Sequence, residues 1–104
     1  MSIHTKYHTF ANTIVGLFAC GKNENGQLGL GHTNDLTQFT QVDCNFDGSN
    51  VKTVKCGTDC TIVLTLAGNL YGCGSNSSNQ LGMEDSKTED ITIFTKLPLD
   101  DVDF

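Results

Sequence analysis

Residues 17–31 read LFACGKNENGQLGLG, and residues 70–83 read LYGCGSNSSNQLGM. At an offset of 53 the two stretches share Leu, Cys, Gly, Asn, Gln, Leu and Gly in register without a gap, seven identities over the fourteen positions 17–30. Order is kept outside them. Phe39-Thr40-Gln41-Val42 is echoed by Phe94-Thr95-Lys96-Leu97 at a spacing of 55, and His8-Thr9 by Cys60-Thr61 at a spacing of 52. An internal period of this size is the mark of solenoids, propellers and arrays. The positions expected to define the repeat are Gly21, Asn23, Gln27, Leu28 and Gly29 in the first unit and Gly57, Gly74, Asn76, Gln80, Leu81 and Gly82 in the second. The units are expected to run over residues 1–50 and 51–104, the second ending in an acidic segment.

Glycine-rich loops also cradle phosphates, so that chemistry has to be tested against the same residues. Gly21, four intervening residues and Gly26 match the opening of a P-loop, but Gln27 and Leu28 stand where Lys and Ser/Thr should hold the phosphate and Mg²⁺. Gly26, Gly29 and Gly31 carry the glycine spacings of the dinucleotide fingerprint in reverse order, and no long helical pattern follows. Corners between packed sheets remain as the use of these glycines, which supply positive φ or the absence of a side chain where backbones approach closely. Asn25-Gly26 is expected to turn, and Gln27-Leu28 to set an amide and a buried leucine against neighbouring backbone.

The segments between the corners read as strands. CTIVLTL, residues 60–66, is β-branched and apolar on both faces, as suits a strand between layers. Ala67-Gly68-Asn69 makes a tight turn and Leu70 to Cys73 returns antiparallel to it. Residues 51–56 form a further strand, and 39–43 and 94–97 the outer strands of successive units. No stretch carries the pattern of a capped helix of three turns, and 77–84 suits a single turn at most. Four short strands in a period of about fifty residues is the habit of β-propeller blades, so the fold class is all-β, built of four-stranded antiparallel blades.

Composition narrows the chemistry. The chain of 104 residues is one domain or part of one, with a formal net charge of −6, and its six basic residues are all lysine. Without arginine there is no bidentate contact to phosphate or guanine, and direct nucleic-acid binding is disfavoured. Seven carboxylates fall between Glu84 and Phe104 against Lys87 and Lys96; such a run is a solvated face or a docking surface for a basic partner. The N-terminal MSIHTKYHTF lacks an apolar core of signal-peptide length and Ile62 to Ala67 is too short to span a bilayer, so no membrane partner is expected and the location is expected to be intracellular, cytoplasmic or nuclear.

Five cysteines, an odd number, argue for reduced thiols. Cys56 and Cys60 are close in sequence, but structural zinc sites pair two tight spacings, so no metal and no cofactor is expected. Of the three histidines, His4 and His8 have i, i+4 spacing with no Glu between them as a zinc hydrolase requires. His8 instead occupies the strand position that Cys60 takes in the second unit, and no catalytic residue is assigned.

The spaced pattern Leu17-Phe18-Ala19-Cys20-Gly21-x-Asn23-x-x-Gly26-Gln27-Leu28-Gly29-Leu30-Gly31, followed by Val51-x-x-Val54-x-Cys56-Gly57-x-x-Cys60-Thr61-x-x-Leu64-Thr65-x-x-Gly68-x-Leu70-Tyr71-x-Cys73-Gly74, resembles the repeat of the regulator of chromosome condensation family. The resemblance covers about two repeats, from His8 to Leu97. It departs at Cys60, where the family usually has His, at Asn79 in place of a glycine, and at Met83-Glu84 in place of Leu-Gly. It implies two blades of a propeller that normally has seven. The chain is therefore expected to be a piece of a longer propeller or to self-associate, since stacked repeats need several units to bury a continuous core. It further implies either a non-enzymatic protein-interaction scaffold whose partner is a protein held by the blade loops, or part of a guanine-nucleotide exchange factor acting on a Ran-like small GTPase. The expected loops are 22–25, 32–38, 44–50, 75–79 and 85–90. The family's ultraviolet-B photochemistry uses clustered tryptophans, and this chain has none.

Overall fold

The computed structural model describes residues 8–75 and 90–97 of the chain. Two antiparallel sheets follow one another in sequence. The first holds β1 (His8–Thr13), β2 (Gly16–Gly21) and β3 (Leu36–Gln41) in the order β1-β2-β3; the second holds β4 (Val51–Cys56), β5 (Cys60–Thr65), β6 (Leu70–Gly74) and β7 (Ile91–Lys96) in the order β4-β5-β6-β7. The second sheet is the expected four-stranded blade. Among the described residues the first has three strands.

The two sheets are one design written twice. His8 pairs with Gly21 and Cys60 with Gly74, and both glycines have φ 105. Gly21 pairs onward with Leu36, and Gly74 with Ile91. Each outer pairing slips register at the same place, between Ala19 and Gly21 in one sheet and between Gly72 and Gly74 in the other. After each slip the outer strand re-enters by the same bond: the Val42 N–H donates to Leu17 O at 2.8 Å and the Leu97 N–H to Leu70 O at 2.8 Å. At Gly74 the conformation and the space both exclude a side chain, since a Cβ there would overlap Asp59 O and come 2.6 Å from Cys60 Cα.

Local differences from the expected elements have physical causes. β3 and β7 begin three residues before the anticipated outer strands, since the slip lets a longer outer strand pair past the corner glycine. β5 ends at Thr65, and Leu66 is 63% exposed in the turn. Its alternation also differs from an evenly apolar strand: Thr61, Val63 and Thr65 are buried while Ile62 and Leu64 are half-buried. The loop expected over 44–50 is not open chain. It contains a 3₁₀ turn at Phe46–Gly48, and Phe46 is buried at φ 46. The expected turn at 77–84 lies outside the described residues.

The main core sits between the sheets. Leu17 and Ala19 of the first meet Val63, Tyr71, Cys73 and Phe94 of the second, with Leu28 and Phe46 filling in from the connections. The Phe46 ring stands edge-on to Tyr71 at 5.1 Å and to Phe94 at 5.5 Å between centroids, a geometry that adds about 0.5–1.5 kcal/mol per pair beyond burial. That contact explains how a bulky residue is held in a left-handed conformation it would otherwise avoid.

Candidate protein-interaction surface

Between β2 and β3 the chain makes the corner at residues 22–35, and its polar side chains are spent on backbone. Asn23 is fully buried. Its Oδ1 accepts from the Leu28 N–H at 2.9 Å, and its Nδ2 donates to His32 O at 2.9 Å and Asn34 O at 3.0 Å. The Asn23 N–H donates to Asp35 Oδ1 at 2.7 Å. Two turns follow, closed by the Gly26 N–H on Asn23 O and the Gly29 N–H on Gly26 O. The Gln27 amide caps the first of them, its Oε1 accepting from the Asn25 N–H at 2.9 Å. His32 Nδ1 accepts from the Asn34 N–H at 3.1 Å, which leaves its proton on Nε2.

The same corner fastens the second sheet. The Thr61 hydroxyl donates to Gln27 O at 2.7 Å, and the Cys73 thiol to the same oxygen at 3.3 Å. The Gly31 N–H donates to Thr92 O at 2.8 Å, and Leu30 bridges Ile93, so the corner adds a short rung to β7. Gly29 lies against Phe94, and a Cβ there would overlap the ring. On the inner side His8 Nε2 donates to Cys60 O at 3.2 Å, while Nδ1 is buried with no hydrogen-bond partner among the described residues. Burial pushes the His8 imidazole below the usual histidine range, against smaller opposing pulls from the Cys60 carbonyl and the Asp59 charge. Burial likewise pushes the Cys73 thiol far up, so it stays protonated and able to donate.

Of the expected repeat positions, Gly21, Asn23, Gln27, Leu28 and Gly29 come together in this corner, Gly74 takes the place of Gly21 in the second sheet, and Gly57 turns β4 into β5, its N–H bonded to Cys60 O. Asn76, Gln80, Leu81 and Gly82 lie outside the described residues. Sequence reasoning missed Thr61, His8 and Phe46 as parts of the joint between sheets.

What remains free to meet a partner lies at the two ends of the blades. At the corner end stand Glu24, Asp59 and Asp90 with Lys22 and Lys55, beside Asp35, whose carboxylate is spent on the Asn23 N–H. Lys22 is paired with Glu24 at 3.6 Å, and Asn25 Nδ2 donates to Asp90 Oδ2 at 3.2 Å; among the described residues named here, carboxylates outnumber lysines. At the opposite end a groove of about 620 Å³ runs between the sheets past Asn12, Gln41, Phe46 and Asn50, with Ile14 and Val15 fully and largely exposed at its lip. Among the described residues no three of His, Cys, Asp and Glu are placed to hold a metal ion, and none of the five cysteines is joined in a disulfide.

Two sheets of one register, packed face on face through a glycine corner, define a β-propeller repeat module. Two profiles of the regulator of chromosome condensation (RCC1) repeat match the chain, one over residues 16–64 and one over 51–80, and the chain belongs to that repeat family. It is 49% identical over 67 residues to the secretion-regulating guanine nucleotide exchange factor of Bos taurus, a match covering 64% of this chain and 14% of that protein. With the X-linked retinitis pigmentosa GTPase regulator of Mus musculus it shares 38% identity over 79 residues, 75% of this chain and 8% of the relative. The chain thus spans a small fraction of the length of these relatives. Yeast RCC1 (Prp20), solved with Kap60 bound, superposes with a TM-score of 0.75 at 21% identity over 92% of this chain and 25% of its own, and shows the same propeller-blade fold. No helix among the described residues is long and apolar enough to cross a membrane.

Proposed function

We propose that the chain is a non-enzymatic interaction module: two repeat units, 1–50 and 51–104, forming rigid blades that hold variable loops against a protein partner inside the cell. The observation that carries this is the use of polar side chains in the corner. Asn23, Gln27, Thr61 and Asp35 are committed to main-chain partners, so they build the scaffold rather than a reaction centre. Gly21, Asn23, Gln27, Leu28, Gly29, Gly57 and Gly74 are accordingly proposed as structural positions, and the sequence repeat extends the same proposal to Asn76, Gln80, Leu81 and Gly82. The recognition chemistry falls to the loop residues, where exposed Glu24 and Asp90, with half-buried Asp59, favour a partner with basic side chains.

A second role has its own support: the 49%-identical bovine relative is named a guanine nucleotide exchange factor. In that role the loops would displace nucleotide from a small GTPase. Binding of this chain to Ran-like GTPases in nucleotide-free and loaded forms, with nucleotide release followed in parallel, separates the two. The scaffold role predicts binding indifferent to nucleotide and release at the spontaneous rate. Preference for the nucleotide-free form together with faster release would replace it with the exchange role.

A further inference from the structure

Both blades carry an exposed apolar side chain at the same hairpin tip, where the fold has no use for one. β1 turns into β2 through the two residues Ile14-Val15, and β5 into β6 through Leu66-Ala67-Gly68-Asn69. Ile14 and Leu66 are each the first residue after a six-residue strand that ends in threonine. The threonines hold the turns. The Thr13 hydroxyl accepts from the Val15 N–H at 3.2 Å and donates to Gly16 O at 2.9 Å, and Thr65 Oγ1 accepts from the Asn69 N–H at 3.1 Å. Ile14 and Val15 bury little, and β-branched residues suit a two-residue turn poorly, since such turns favour Asn and Gly. Leu66 stays 63% exposed with the preceding connection packed beside it, where Asn50 O accepts from the Leu66 N–H at 2.8 Å and Ser49 Oγ from the Ala67 N–H at 3.1 Å. A local rule broken at the same tip of two blades, with no return in packing, marks a surface kept for a partner.

The two tips meet over one groove. Asn12 Nδ2, just inside the first tip, donates to Val51 O at 3.0 Å, and the Leu66 N–H is bonded to Asn50 O, so both tips are tied to consecutive residues between the sheets. The groove of about 620 Å³ runs past Gln41 and Phe46 under Ile14 and Val15, and Leu66 stands at its Asn50 end. We infer that this end of the blades holds a short segment of a partner protein, with two large apolar side chains seated on Ile14 and Leu66 and a lysine or arginine beside them. Charge decides the occupant. The side chains lining the groove are uncharged, which suits an apolar centre. Residues 42–52 beside it carry Asp43 and Asp47 against Lys52, with Asp43 exposed, so the charged flank of the segment is basic. An anionic lipid surface recruits proteins through clustered lysine and arginine, and a chain of net charge −6 without arginine does not fit it. The site lies at the opposite end from the acidic loops assigned to recognition above, and its failure would leave those loops untouched.

Random dodecapeptides displayed on phage and selected on the 104-residue chain supply the probe. The expected result is enrichment of sequences with two large apolar residues next to Lys or Arg. Synthetic copies of these, titrated by fluorescence anisotropy, should bind about tenfold more weakly to Leu66→Ser and to the double variant Ile14→Ser, Val15→Ser, because each removes an apolar anchor. The replaced side chains are exposed, so both variants should melt with the wild type. Glu24→Gln and Asp90→Asn, at the other end, should leave the affinity unchanged. Selection that enriches nothing above the bare support, or peptides that bind the wild type and the serine variants alike, would overturn the inference. So would either of two other occupants. A wild-type chain that sediments with phosphatidylserine and phosphatidylcholine vesicles while the serine variants do not would give the tips to a membrane, and one that self-associates while they do not would give them to a second copy.

Discussion

Gly29→Ala puts a methyl group into the tightest approach between the corner of the first sheet and the outer strand of the second. Two costs arise together. Gly29 has φ +71, and an L-residue held there costs about 1–2 kcal/mol. The added Cβ overlaps the Phe94 ring, which is itself buried against Phe46 and Phe10, and overpacking of that kind costs about 1–3 kcal/mol. The sum, about 2–5 kcal/mol, is a large share of the stability of a small domain. A double-mutant cycle with Phe94→Ala separates the terms, because removing the ring removes the overlap and leaves the backbone strain. The assay is urea denaturation followed by circular dichroism at fixed protein concentration. In the Phe94→Ala background the cost of Gly29→Ala should fall to about 1–2 kcal/mol. An equal cost in both backgrounds would refute the placement of Gly29 against Phe94.

Three further outcomes follow from the same geometry. Asn23→Ala leaves the buried Leu28 N–H and the His32 and Asn34 carbonyls without their partner, and should destabilise by about 2–4 kcal/mol in the same denaturation assay. Phe46→Ala removes the ring from between Tyr71 and Phe94 and should cost about 3–5 kcal/mol. His8 adds a pH dependence. Its folded pKa lies below the unfolded value near 6.5, so the unfolded chain binds more protons and stability falls as pH drops through that value. Thermal melting from pH 7.5 to 5 should show a decline that is smaller in His8→Gln, and parallel curves would remove His8 as its source.

The features legible in the sequence are those that the chain writes twice. Cys20-Gly21 and Cys73-Gly74 stand at the same offset as Leu17 and Leu70, and the structure gives them matching pairings. Gln27 and Leu28 were readable as a buried amide and leucine because Gln80-Leu81 repeats them. Phe46 carries no such signal. It lies in a connection with no readable echo, and its importance comes from two rings supplied by Tyr71 and Phe94, far along the chain. Thr61 reads as an ordinary β-branched strand residue, and only the approach of Gln27 O turns its hydroxyl into a joint between sheets. The early starts of β3 and β7 escaped for another reason. They depend on a register slip opposite Cys20 and Cys73, which side-chain alternation does not record.

That two equivalent blades pack face on face through this corner is tested most directly by nuclear Overhauser spectroscopy of the chain in solution. Cross-peaks are predicted from the Gly29 Hα to the Phe94 ring and between the Phe46 and Tyr71 rings, whose centroids are 5.1 Å apart. A spectrum with the cross-strand peaks of each sheet intact and both of these missing would contradict it.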